Sequence, residues 1–289
     1  MNGDIKMDNE NLLKKLKNRP SYPFETIAVA IAFSPRLEAV LSEATRLSQQ
    51  LHSKLVLIHV GDKTSVKEEY LDSLTAKLNI NPNQLRIIWT EGDPIDTILK
   101  LCKLNVVDLL VLGALEKESL YRYYVGSIAR KISRNAKCSV LLITQPSTIS
   151  NKPRKIMVSG EDNPKTIHSL NTALYIASNY NVKEITLIKE INTKEESHRE
   201  NINLRENELQ KLHKLAAKCE RNNVIIHERV IEGKPGLSIA NYTRIQKADM
   251  LVINSPDKQL NFLDRIFTKE IEHILADLPS SLLIVHSRV

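Results

Sequence analysis

Two features of the amino-acid sequence predict an α/β fold made of two tandem, doubly wound domains. The first is an internal repeat within the 289 residues, and the second is an alternation of short apolar runs with helix-like patterns in both halves. This alternation is typical of βαβ units, in which helices cover both faces of a parallel sheet. Each half is therefore predicted to hold a five-stranded parallel sheet with strand order 3-2-1-4-5.

The internal repeat is visible in two stretches of the sequence. The segment that starts at Thr26 aligns without a gap with the segment that starts at Lys155, an offset of 129 (155 − 26). The match resumes further on at an offset of 141 (232 − 91). Three identical pairs mark this second stretch: Glu91 with Glu232, Gly92 with Gly233, and Pro94 with Pro235. Self-similarity of this kind indicates a duplicated structural unit.

The spacing of apolar residues places the individual elements of the first half. The predicted strands cover 26–32, 55–60, 85–90, 107–112 and 139–144. The predicted helices cover 35–51, 64–79, 94–104 and 126–136, and the second half repeats the order. In each half a polar residue and a proline, Ser34-Pro35 and Asn163-Pro164, predict the N-cap and first residue of the first helix.

The repeat and the composition together set the predicted domain boundaries. The first domain is predicted at 24–145 and the second, more degenerate one at 153–289, after an N-terminal tail at 1–23. The linker at 145–154 is rich in Pro, Ser and Thr, as connecting segments are. The stretch 193–222 has an apolar stripe among many charges, which leaves two interpretations open, an amphipathic crossover helix or a coiled-coil partner site.

Composition narrows the classes of partner and compartment. The net charge of +7 permits acidic partners, but there is no aromatic-rich basic stripe or zinc-finger spacing to indicate nucleic-acid binding. No apolar run approaches the length of a membrane helix, and the N-terminal residues lack the apolar core of a secretory signal. Three cysteines far apart suit a reducing compartment. We therefore expect a cytoplasmic protein without membrane insertion, nucleic-acid partner or metal site.

One segment, LLVLGALEKESLYRYYVGSIARKI, has a pattern that points to chemistry. Gly113 ends the predicted fourth strand, a twelve-residue loop follows, and Gly126-Ser127 opens a helix. Glycine lets a backbone approach phosphate closely, and a helix N-terminus offers free N–H groups. Ligands in a doubly wound sheet lie at the carboxyl ends of the strands, where this segment is expected.

The same segment resembles the universal stress protein family. Members that bind ATP carry Gly-x2-Gly-x9-Gly followed by Ser or Thr, and Gly113, position 116 and Gly126-Ser127 fit that register. The resemblance extends over 24–145 and more weakly, through the repeat, over 153–287. It implies an ATP or ADP site in the first domain formed by Gly113, Ala114, Gly126, Ser127 and Ile128.

Two departures weaken the resemblance at this site. Position 116 is Glu116 where ATP-binding members have glycine, and a carboxylate repels a triphosphate. Ala32 stands where those members keep an aspartate near the adenosine. In the second half the corresponding positions hold Asn254, Asp257 and Thr268, so that the glycines are lost.

Three interpretations of Gly113, Gly126 and Ser127 remain open at this point: a surviving nucleotide site, fold geometry retained without a ligand, or an altered small-ligand site. His59, at the end of a strand, is interpreted as a partly buried core residue. The resemblance also implies that the fifth strands, Val140–Ile143 and Leu282–Val285, pair with each other within the chain.

The expected function is that of a non-catalytic regulatory or binding protein of the stress response that requires no cofactor. One alternative is an ATP- or ADP-binding switch with slow hydrolysis, acting through the first domain. Another is a scaffold for a partner protein. Homodimerisation is also left open.

Overall fold

The computed structural model describes residues 21–117, 122–149, 152–192, 198–219, 223–255 and 268–286. Two runs of alternating strands and helices make up the chain. The first run consists of β1 Thr26–Ala30, α1 Leu37–Gln50, β2 Lys54–Val60, α2 Ser65–Lys77, β3 Leu85–Thr90, α3 Pro94–Leu104, β4 Leu109–Gly113, β5 Leu115–Lys117, β6 Arg122–Tyr124, α4 Ser127–Asn135 and β7 Ser139–Ile143. The second consists of β8 Ile156–Ser159, α5 Thr166–Asn179, β9 Glu184–Ile191, α6 His198–Ala217, β10 Ile225–Glu232, α7 Leu237–Ile245, β11 Met250–Asn254, α8 Lys269–Ala276 and β12 Ser281–Val285.

Ten strands form a single sheet in the order β10-β9-β8-β11-β12-β7-β4-β1-β2-β3. Read from its outer edge toward the centre, each half is parallel and has the predicted order 3-2-1-4-5, which confirms the fold class. The strands β7 and β12 pair antiparallel at the centre, with Leu141 opposite Leu283 and Leu142 opposite Leu282. The expected pairing of the two fifth strands is therefore present, and two edges that would otherwise expose unpaired backbone groups are covered.

Apolar side chains on both faces of the sheet explain why these segments form strands. Ile27 and Val29 point into the layer that contains α1, α2, α5 and α6, whereas Ala28 points into the layer that contains α3, α4, α7 and α8. Strand β7 is buried along its whole length. Continuous burial on both faces is typical of parallel sheets in α/β domains.

The residues that precede β1 pack against the second domain. The ring of Tyr22 stacks on Tyr175 in α5 with centroids 5.5 Å apart, and Phe24 meets the same ring edge-on at 5.9 Å. Ser21 is buried and accepts a hydrogen bond from the Thr172 hydroxyl at 3.2 Å. Ser21 and Tyr22, predicted as part of a tail, are thus packed, and residues 1–20 of that tail lie outside the described residues.

Two local predictions need correction. The first helix of each half starts at Leu37 and Thr166, two residues after the predicted position, because residues 34–36 and 163–165 form a turn. The residues at the two N-caps are Arg36 and Lys165, which make no capping hydrogen bond with their side chains. The predicted loop after Gly113 is also wrong in part, because β5 and β6 form a small antiparallel hairpin within it.

The stretch predicted as a long helix at 193–222 contains α6, and its ends lie outside the described residues. Leu212 and Ala216 on α6 are buried against the sheet, and Leu204 and Leu215 pack beside them. This packing favours the crossover interpretation. Among the described residues, no helix has both the length and the apolar character needed to cross a membrane.

Candidate functional site: the carboxyl end of the first sheet

The switch point of the first domain lies between β1 and β4, which are neighbours in the sheet. Gly113 ends β4, and Gly126 is the N-cap of α4. A Cβ atom at Gly113 would lie 3.3 Å from Cγ2 of Val40, and one at Gly126 would lie 2.8 Å from Cδ1 of Leu115. Side chains of the chain itself therefore occupy the space beside both glycines.

The hairpin between these glycines is attached to the second domain. The N–H of Val125 donates to the Leu275 carbonyl at 3.0 Å, and the N–H of Leu278 donates to the Tyr123 carbonyl at 2.8 Å. Arg122 lies 3.3 Å from the Asp277 carboxylate. The hairpin is the segment that would wrap a phosphate. Its position is set by these contacts with the second domain.

Arg36 lies across the carboxyl ends of β4 and β7. Its guanidinium donates one hydrogen bond to the Ala114 carbonyl and another to the Thr144 carbonyl, each at 2.5 Å. The same group lies over the ring of Tyr123, 5.3 Å from its centroid. Since Arg36 precedes α1 at the N-cap, the delayed start of that helix is what leaves its side chain free to reach these carbonyls.

The other residues of the predicted site differ in exposure. Ala114 is buried, whereas Ile128 is 49% exposed and Ser127 is also exposed at the first turn of α4. Glu116 is exposed on β5, opposite Tyr123 on β6. Burial raises the pKa of Tyr123, the charge of Glu116 raises it further and Arg36 opposes both, so the phenol is neutral at physiological pH.

Ala32 is exposed just beyond β1, next to a cluster of aromatic residues. The ring of Phe33 is stacked on Trp89 at 5.8 Å and meets His59 edge-on at 4.9 Å. His59 is 7% exposed, with Nδ1 placed 3.2 Å from the Ile31 carbonyl. His59 is thus a buried residue of the packed structure.

A hydrogen-bonded network occupies the equivalent position of the second domain. Asn254 stands at the place of Gly113 and is 1% exposed. Its amide oxygen accepts from the Ser169 hydroxyl at 2.6 Å, and its amide nitrogen donates to Thr166 Oγ1 at 3.0 Å and to Glu161 at 3.3 Å. Asp257 lies outside the described residues.

The second domain also has a cation at the place of Arg36. Lys165 donates to the Ser255 carbonyl at 3.4 Å, and Ser255 is the repeat counterpart of Ala114. A basic residue before the first helix thus contacts the residue after the fourth strand in both domains. Sequence reasoning overlooked this pair, although the gapless alignment of Arg36 with Lys165 was a usable signal.

The N-terminus of α7 is capped by a carboxylate from a neighbouring strand. Glu190 accepts from the N–H of Ile239 at 2.7 Å and from the N–H of Gly236 at 2.9 Å. Burial raises the pKa of Glu190, and these backbone hydrogen bonds partly oppose the rise. In the first domain Asp93 caps α3 from within its own turn, and Lys234 stands at that place in the second. The donors of α7 are therefore already used.

Comparisons with known proteins agree with this architecture. Residues 23–144 match the model of the Universal stress protein family. Universal stress protein YxiE of Bacillus subtilis is 25% identical over 146 residues, covering 42% of this chain and 99% of that relative. Universal stress protein MJ0531 of Methanocaldococcus jannaschii is 36% identical over 56 residues, and this match spans 19% of the chain and only 33% of that relative's length.

Solved structures extend the likeness in fold to the whole chain. A functionally unknown protein, PA1789 from Pseudomonas aeruginosa, is 16% identical with a TM-score of 0.71, and 95% of each chain is covered. A universal stress protein from Archaeoglobus fulgidus is 14% identical with a TM-score of 0.66, covering 93% of this chain and 100% of that one. At these identities the likeness shows the fold alone.

The fold defines a class of protein with two doubly wound domains in tandem. In the first domain, glycines lie at the switch point of the sheet. The first domain is similar to the universal stress protein family, whose model matches residues 23–144. A universal stress protein has been solved in complex with cAMP, with 17% identity, 43% coverage of this chain and a TM-score of 0.36. Within the described ranges, no three His, Cys, Asp or Glu residues are placed to hold a metal ion.

Proposed function

We propose that this protein is a non-catalytic regulatory or binding member of its family, in which side chains of the chain itself close the nucleotide site of the first domain. The observation that carries this proposal is the position of Arg36. Its guanidinium spans the Ala114 and Thr144 carbonyls beside Gly113, where the phosphates of a bound nucleotide would approach. We further propose that the protein acts in the cytoplasm and requires no cofactor.

Closure by Arg36 has an energetic cost for any ligand that would displace it. A hydrogen bond that involves a charged group contributes about 1.5–3 kcal/mol to stability. Two such bonds and the contact with Tyr123 would have to be replaced by contacts with the ligand. Leu115 adds a steric barrier because its side chain fills the space beside Gly126. We therefore expect ATP and ADP to bind the first domain weakly or not at all.

Glu116 adds an electrostatic barrier to an incoming triphosphate. Two unit charges of the same sign 4 Å apart repel by about 1 kcal/mol in water and about 4 kcal/mol at an effective dielectric constant of 20. Since Glu116 is exposed, the lower figure applies. Its effect on ATP affinity is then about fivefold, smaller than the effect expected of Arg36.

The same reasoning argues against nucleotide binding in the second domain. A phosphate at its switch point would have to break the hydrogen bonds of Asn254, which is buried, and a polar group left unpaired there costs about 1–3 kcal/mol. Glu161, bonded to Asn254, adds a negative charge at the same edge.

A second candidate function is an ATP- or ADP-binding switch in the first domain, and Arg36 itself is the observation that favours it. A guanidinium carries five N–H donors, and only two are used by the carbonyls. If Arg36 turns toward a phosphate, it becomes a ligand of the nucleotide instead of a barrier. The two functions predict opposite effects of removing this side chain.

Calorimetric titration with ATP and ADP at one salt concentration tests the proposal with Arg36→Ala. Arg86→Ala is the matched control, because Arg86 is exposed on β3 and its side chain donates to Asn105 at 2.8 Å. Closure predicts that Arg36→Ala strengthens ATP binding about tenfold or more, while Arg86→Ala resembles the wild type. Tight binding by the wild type that is lost only in Arg36→Ala would establish the switch and contradict the proposal.

A further inference from the structure

A cavity of about 820 Å³ lies at the junction of the two domains. The first domain contributes α1 and the end of β7, and the second contributes the end of α7 and the starts of β11 and β12. Linker residues 152–154 form part of the wall. This volume is within the range of about 300–1,000 Å³ found for small-molecule sites. Both domains and the linker therefore build the cavity.

The walls of the cavity are basic. They contain two carboxylates, Glu43 and Asp249, against five lysine and arginine residues: Arg46, Lys152, Arg154, Arg244 and Lys247. Both carboxylates already have partners. Glu43 pairs with Arg46 at 2.9 Å, and Asp249 accepts from the backbone N–H groups of residues 154 and 155 at 2.8 and 2.9 Å.

Three of the five lysine and arginine side chains on the cavity wall are not paired with a carboxylate of the described residues. Arg244 is engaged by Asp277 at 3.0 Å, outside the cavity wall. Within the part of the chain that the structure describes, Lys152, Arg154 and Lys247 have no ion-pair partner, and all three are exposed to solvent on the cavity wall. Cations held around a concave surface repel one another, and an anion with more than one charge would relieve this repulsion.

The cavity also offers a neutral donor and an apolar surface. Tyr180 lines the cavity and is largely buried. Burial is the main cause that raises the pKa of Tyr180, so the hydroxyl stays protonated and can donate a hydrogen bond. Leu47, Ile143 and Met250 supply apolar wall. Small-molecule sites combine apolar wall with a few polar groups, whereas the wall of this cavity is more polar than apolar. Here the apolar part suits the body of a ligand and the cations suit its phosphates.

We propose that this interdomain cavity binds a small molecule that carries a diphosphate or polyphosphate group. The phosphates lie between Lys152, Arg154 and Lys247, and the hydroxyl of Tyr180 donates to the ligand. The residues that hold the phosphates here are different from those at the switch point of the first domain, and the proposal does not depend on whether that point is closed. Because residues from both domains surround the ligand, its binding stabilises their junction.

Calorimetric titration with inorganic pyrophosphate, at one low salt concentration, tests the site in the full-length chain. The cavity variant combines Lys152→Ala, Arg154→Ala and Lys247→Ala. The matched control combines Lys100→Ala, Lys183→Ala and Lys214→Ala, which removes the same total charge from exposed positions away from both sites. We expect one pyrophosphate per wild-type chain and at least tenfold weaker binding in the cavity variant, with little change in the control.

Tyr180→Phe provides a second variant that leaves the charge unchanged, and it should weaken pyrophosphate binding severalfold. Arg86→Ala, which removes one exposed charge from β3, should leave it unchanged. Absence of pyrophosphate binding by the wild type at millimolar concentration would overturn the proposal. Equal weakening in the cavity and control variants would also overturn it, because it would show a response to net charge alone.

Discussion

Replacing Leu141 with lysine should open the junction between the two domains. Leu141 is 5% exposed, lies on β7 and faces Leu283 of β12 across the antiparallel pair. Loss of its buried apolar surface costs about 1.5–3 kcal/mol. An unpaired ammonium at this position adds at least about 2 kcal/mol. Leu141 also lines the basic cavity between the domains, where the new charge finds no favourable partner because both carboxylates are already engaged.

The total penalty of about 4 kcal/mol or more is a large part of the 5–15 kcal/mol that stabilises a typical domain. Leu104→Lys is the matched control, since Leu104 is 50% exposed at the end of α3. Urea unfolding monitored together with hydrogen exchange at the amides of β7 and β12 measures the effect. We expect lower stability and fast exchange in Leu141→Lys only. Wild-type exchange at these amides in Leu141→Lys would refute the reasoning.

Two further predictions concern Glu190 and Gly236 of the second domain. The pKa of Glu190 is raised in the folded protein, so the folded state holds this proton more tightly than the unfolded state does. The contribution of Glu190 to stability therefore falls as the pH rises above 4.5, the ordinary pKa of a glutamate. Melting temperatures from pH 4 to 7 should therefore fall more for the wild type than for Glu190→Gln, and parallel curves would contradict this. Gly236→Ala should destabilise by about 2 kcal/mol or more, because φ is +81° and the new Cβ would lie 2.3 Å from the Glu270 carbonyl oxygen. Gly126→Ala, which meets only the flexible end of Leu115, should cost less than about 1 kcal/mol, and equal losses in urea unfolding would disprove the distinction.

The order of strands and helices could be predicted from the sequence because it follows from local apolar periodicity, duplicated in both halves. The β5–β6 hairpin could not, because its position is set by contacts with residues far along the chain. Tyr123 forms an antiparallel β-bridge with Leu278, and no local sequence pattern predicts that pairing. Strands of three residues also carry too little periodicity to be recognised.

The place of the two glycines in the fold could be predicted from the sequence, but the packing around them could not. The order of the elements places Gly113 and Gly126 at the switch point, and both lie there in the structure, whereas their role as a binding site stays a prediction. The sequence showed Arg36 only as a basic residue near a helix start, and its contact with Ala114 and Thr144 depends on a turn that delays α1. Asn254 looked like a lost glycine, whereas the structure shows it at the centre of a hydrogen-bonded network.

The central claim, that the chain's own side chains close the switch point of the first domain, is tested most directly at the backbone there. The measurement is a titration of the uniformly 15N-labelled wild type with ATP, following the amide signals of Gly113, Gly126 and Ser127. Closure predicts that these three signals do not move as ATP rises to about 1 mM. A dissociation constant of about 1 mM corresponds to a binding free energy of about −4 kcal/mol, and closure predicts weaker binding than that. Saturable shifts of these signals at micromolar ATP would contradict the account.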